Sequence, residues 1–144
     1  MLGEKVIIFY IALDPMPAEA TLRFKQGSHL PGITYLPVGG EWEGPSTNPV
    51  SRGKVPMPPF AEIDGASPTV AWPLQPGDAL VFQQRVLHGA PGNPFNFRRH
   101  SIALVLCGDD VRYDASPGEN DPPFEDPALK DGDSPWGEVF PRLR

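Results

Sequence analysis

Cysteine is nearly absent: Cys107 is the single thiol in 144 residues. One cysteine cannot close an internal disulfide or build a multi-thiolate zinc site, and its place beside the apolar run Ile102–Leu106 reads as a buried structural thiol. A reducing, cytoplasmic setting is the expectation. Basic clusters are missing too. Twelve Lys and Arg stand against 18 Asp and Glu, a net charge of −6, and no run of cations is able to track a phosphate backbone. Nucleic acid is therefore not an expected partner. No apolar stretch approaches the 18 or so residues of a membrane helix. Residues 6–13 are apolar, but Glu4 and Lys5 cancel ahead of them, and Asp14 and two prolines follow, so a strand is expected there and not a secretion signal. No internal repeat is visible.

Proline and glycine, by contrast, are abundant. The 20 prolines and 15 glycines take about a quarter of the positions and exclude a helical bundle. With 40% hydrophobic and 10% aromatic residues a core is still expected, as one all-β domain over 1–144 made of short strands and many turns. Residues 6–13 (VIIFYIAL) suit a strand covered on both faces. Residues 21–25 (TLRFK) alternate, with Leu22 and Phe24 turned inward and Thr21, Arg23 and Lys25 outward. Residues 30–68 are broken by prolines and glycines without a sustained period and are expected to form a lid or insertion. Tyr35, Trp42 and Phe60 are its possible apolar contacts.

After the turn Gln75-Pro76-Gly77-Asp78, residues 79–88 (ALVFQQRVLH) read as one strand with Leu80, Phe82, Gln84, Val86 and His88 on one face. Residues 98–107 read as another, with Arg99, Ser101, Ala103, Val105 and Cys107 sharing a face. Residues 108–144 are an acidic, proline-rich tail expected to wrap the surface. If the two strands pair as antiparallel neighbours, His88 and Arg99 come close together. A buried guanidinium without a partner is costly, and a bound carboxylate satisfies it through the planar fork, with Ser101 adding a hydrogen bond and neutral His88 available to a metal. The competing reading is structural: His88 caps a strand at the rim and Arg99 pairs with an acidic side chain.

The order Gly27-Ser28-His29, Pro76-Gly77-Asp78-Ala79-Leu80-Val81-Phe82, His88-Gly89-Ala90, Asn93 and Arg99 resembles the phytanoyl-CoA dioxygenase family of iron(II)- and 2-oxoglutarate-dependent oxygenases. The likeness runs from about Val6 to Tyr113, with an echo in Asp131-Gly132-Asp133 and Phe140-Pro141-Arg142. It implies a double-stranded β-helix, the jelly-roll or cupin-like barrel. It also implies Fe(II) and 2-oxoglutarate as cofactors, a small-molecule substrate, and hydroxylation coupled to oxidative decarboxylation of 2-oxoglutarate. His88 would be the distal metal ligand. Arg99 and Ser101 would hold the co-substrate, and Tyr10 and Gln84 would line the substrate pocket. Ala90 stands where some relatives carry a hydroxyl, and His29 is expected to steady a turn.

One element of the pattern is missing. This type of centre uses two His and one carboxylate, and the family takes the first His and the carboxylate from a His-x-Asp motif. Here His29, His88 and His100 are followed two positions later by Pro31, Ala90 and Ile102. By family spacing the motif falls just before Met1, so the sequence resembles the C-terminal portion of a longer oxygenase whose barrel is incomplete at the N-terminus. On that reading the chain does not hydroxylate alone, and self-association or a partner chain completes the barrel. The alternatives are a non-catalytic jelly-roll binding or partner module and, further off, a cupin-type metalloenzyme.

Overall fold

The computed structural model describes residues 3–30, 32, 35, 68–90, 93, 95–115, 128–137 and 140–143. Six strands and one short 3-10 turn make up their regular structure: β1 (Val6–Ala12), the turn Ala18–Ala20, β2 (Arg23–Lys25), β3 (Thr69–Val70), β4 (Ala79–Gln83), β5 (His88–Gly89) and β6 (Ser101–Cys107). The class is all-β, as expected from the shortage of helix-compatible sequence. Two three-stranded sheets form, ordered β4-β1-β6 and β3-β2-β5. No described helix is long and apolar enough to cross a membrane. Most of the expected lid, including Trp42 and Phe60, lies outside the described residues, as does the middle of the tail.

β1 and β4 run antiparallel, with Tyr10 beside Leu80 and Ile8 beside Phe82. β1 is joined to β6 through bonds from Leu13 N–H to the His100 carbonyl and from Gly108 N–H to the Lys5 carbonyl. Such reversed pairings mark an antiparallel ladder. In the other sheet Phe24 stands between Val70 and His88. The two sheets meet where the Phe24 ring contacts the Phe82 ring edge-on, 4.8 Å between centroids. A small core of Ala12, Met16 and Leu74 lies alongside, with Tyr10 and Leu80 packed against it.

The chain divides into two compact units, Ile7–Val105 and Met1–Val6 with Leu106–Arg144. The first holds the contacts just described. In the second, Val111, Tyr113 and Asp114 are buried, Tyr113 exchanges backbone bonds with Gly132 and Asp133, and Asp110 accepts the Glu4 and Lys5 amides.

Four expectations are corrected. β1 is not covered on both faces, since Ile7 is 44% exposed. In residues 21–25 the polar side chains are not all outward: Thr21 and Lys25 are buried. Thr21 can be buried because its hydroxyl donates to carbonyls, with the Trp72 oxygen 3.0 Å and the Ala18 oxygen 3.2 Å away. Residues 79–88 are not one strand. The Gln83 side chain folds back to accept the Arg85 N–H at 2.7 Å, and Val86 N–H bonds the Gln83 carbonyl. This local bonding competes with the ladder, ends β4 and carries the chain to the other sheet. Finally, β6 begins at Ser101 and pairs with β1, so it is not the antiparallel neighbour of the His88 segment.

Candidate functional site around His88 and Arg99

His88 is placed by three backbone ties. The turn after β2 uses Gly27 at φ +74°, a left-handed conformation that suits glycine. This turn aims the Ser28 hydroxyl at Leu87, whose N–H it accepts at 2.8 Å. The Leu87 carbonyl takes the Lys25 N–H, and β5 then pairs His88 with Phe24 and Gly89 with Arg23. The imidazole ring lies nearly parallel to Phe24, 6.0 Å between centroids, and 4.6 Å from Phe82.

Its Nδ1 lies 2.7 Å from the Val86 carbonyl oxygen. A carbonyl only accepts, so Nδ1 carries the proton and donates it, and in the neutral ring the lone pair is on Nε2. Burial among the aromatic rings pushes the His88 pKa down, and the bond to Val86 only partly opposes this. The ring is thus kept neutral, with one nitrogen committed to the backbone and the other able to ligate. Metal-binding histidines are commonly oriented by a bond of this kind.

Arg99 is half-buried just before β6. Its Nη1 donates to the Ala20 carbonyl at 2.8 Å, at the end of the 3-10 turn that leads into β2. His88 and Arg99 are therefore both tied to the stretch 20–24, through Phe24 and Ala20, although they belong to different strands. The loop ahead of Arg99 is closed by Asn93, whose Nδ2 donates to the Phe97 carbonyl at 2.8 Å and whose Oδ1 accepts the Phe95 N–H.

Tyr10 is half-buried in β1 beside Leu80, its hydroxyl 3.9 Å from the Met16 sulfur. Ser101 opens β6 and is exposed. Gln84 is exposed in the turn after β4 and leaves the face it was expected to share with His88. His29 is exposed in its turn. His100 is engaged elsewhere, its Nδ1 2.8 Å from Asp14, whose carboxyl is held below the usual range chiefly by the His100 backbone N–H. No three His, Cys, Asp or Glu side chains gather as a metal-binding group among the described residues.

Sequence reasoning missed the supports. Phe24 and Phe82 wall in His88, and Ser28 and Asn93 are hydrogen-bonding struts. Ser28, Phe82 and Asn93 stand in the stretches that carry the family resemblance, and Phe24, Leu80 and Phe82 alternate inward, but neither signal pairs any of them with His88 or Arg99.

The family model for phytanoyl-CoA dioxygenase (PhyH) matches residues 3–101. Comparison with curated proteins and with solved structures gives no match. The matched span covers well over half of the chain and contains β1 to β5, His88 and Arg99, so the chain belongs to the phytanoyl-CoA dioxygenase family of iron- and 2-oxoglutarate-dependent oxygenases.

Proposed function

We propose that the chain carries the distal-ligand and co-substrate part of an iron(II)/2-oxoglutarate dioxygenase site set in a double-stranded β-helix. The observation that supports this most is the state of His88, with Nδ1–H given to Val86 and the Nε2 lone pair uncommitted in an apolar setting. That donor chemistry suits Fe(II). One imidazole is a single ligand, and a three-ligand set would need a second His and a carboxylate beside it, which no group of described side chains supplies. Among the described residues β5 is an outer strand, and a strand laid along it would bring its side chains beside His88.

Held by His88 and the remaining ligands, iron(II) with 2-oxoglutarate would supply the oxygen chemistry of the hydroxylation. The chain's own residues orient and exclude. The bond to Ala20 fixes the direction of the Arg99 side chain, and its planar fork matches the far carboxylate of 2-oxoglutarate. Ser101, two residues on, would offer a hydroxyl as a further donor. Phe24 and Phe82 keep water from the imidazole, which strengthens every charge interaction made there.

Nuclear magnetic resonance of the labelled protein tests this without requiring turnover. Mn(II) is expected to broaden His88, Phe24 and Phe82 first, and 2-oxoglutarate is expected to shift Arg99 saturably. Both effects should vanish selectively, the first in His88→Ala and the second in Arg99→Ala. Unchanged 2-oxoglutarate affinity in Arg99→Ala would mean that the co-substrate site is elsewhere.

A further inference from the structure

An open cleft of about 390 Å³ is lined, among the described residues, by Phe24, Trp72, Ala79, Leu80, Val81 and Phe82. Its volume is within the usual range for small-molecule sites. Each of these described residues is apolar, and three are aromatic. Trp72 follows β3 and packs on Phe24, 6.1 Å between centroids and tilted by 49°. It is nevertheless 49% exposed, so much of a large aromatic surface remains in water. Phe24 and Phe82 line the cleft and are the same two rings that contact His88. A molecule in the cleft would therefore be one aromatic layer away from the imidazole.

We propose that this cleft binds an uncharged, ring-bearing apolar molecule and is the substrate subsite beside His88. The subsite role rests on the function proposed above; the binding of such a molecule does not. Tilted rings leave a wedge that receives a flat group in edge-to-face or offset contact, the arrangements aromatic pairs prefer. Covering Trp72 and the ends of Leu80 and Phe82 removes apolar area from water. An ionised group placed there would be desolvated by a wall whose described residues offer no charged side chain in exchange.

Naphthalene, octanol and octanoyl-CoA serve as probes on metal-free protein, followed through the Trp72 indole N–H resonance. That resonance is assigned by its loss in Trp72→Phe. Naphthalene is expected to shift it saturably and to bind about tenfold more tightly than octanol, the scale of an aromatic contact beyond its area. Naphthalene binding, read on Phe24 and Phe82, should weaken by a similar factor in Trp72→Ala and recover in Trp72→Phe. Because it is read on metal-free protein, a failure of Mn(II) to broaden His88 bears on the function proposed above and not on the cleft. Undiminished naphthalene binding in Trp72→Ala, or tighter binding of octanol or octanoyl-CoA, would overturn the proposal.

Discussion

The sheet β3-β2-β5 is built from strands of two or three residues, yet its central strand is almost wholly enclosed: Phe24 is 6% and Lys25 2% exposed. The sheet β4-β1-β6 has strands of five and seven residues, yet Val81, Ile102, Leu104 and Val105 are each 45% exposed or more. Strand length and apolar content therefore do not locate the packed, chemistry-bearing region. The short sheet is held by particular contacts, namely the Ser28 bond to Leu87, the Thr21 bond to Trp72 and the Phe24–Phe82–His88 ring cluster. The long sheet is specified by its apolar runs and depends less on any one side chain.

The largest expected effect follows from that contrast. Phe24→Ala should destabilise the fold by about 3–5 kcal/mol, as for a buried aromatic removed from a packed cluster, and should release both His88 and Trp72. Leu104→Lys, on the exposed face of β6, should stay within about 0.5 kcal/mol. Chemical denaturation of the two variants checks this. Equal losses would abolish the distinction between the sheets.

How far the sequence displayed this arrangement differs between the same two regions. β1 and β6 are legible as apolar runs, and the Pro76-Gly77-Asp78 turn is where its residue types place it, with Gly77 at φ +94° and the Asp78 carboxylate accepting the Gln75 N–H. His88 and Arg99 stand out as polar residues extending apolar faces. The break after Gln83 is not legible, because Val86 and His88 continue the period-two pattern while the cause is a side chain folding onto its own backbone. Nor is the burial of Thr21 and Lys25 legible, since it goes with bonds to segments more than 40 residues away, to Trp72 for Thr21 and to Leu87 for Lys25. The tautomer of His88 depends on one carbonyl two residues back, and composition carries no trace of it.

A smaller effect is expected in the unit formed by Met1–Val6 and Leu106–Arg144. There the amides of Glu4 and Lys5 hold the Asp110 carboxyl below its ordinary value of 3.8, against opposing desolvation. A carboxyl whose folded pKa is depressed adds stability above its unfolded pKa and loses it as pH falls through the lower, folded value. Acid titration should therefore release the Glu4 and Lys5 amides only below about pH 4, seen as loss of hydrogen-exchange protection. Asp110→Asn should make that protection independent of pH in this range. Release near neutrality would mean that these bonds do not form.

The functional reading depends most on the protonation state of one ring. Nitrogen-15 spectra of the imidazoles, recorded at neutral pH with and without Zn(II) as a diamagnetic stand-in for Fe(II), measure it directly. The expected result is a His88 ring protonated at Nδ1 and bare at Nε2, with Nε2 the nitrogen that shifts when metal is added. A ring protonated at Nε2, or metal shifting His29 or His100 while His88 stays unmoved, would contradict the assignment of His88 as a metal ligand.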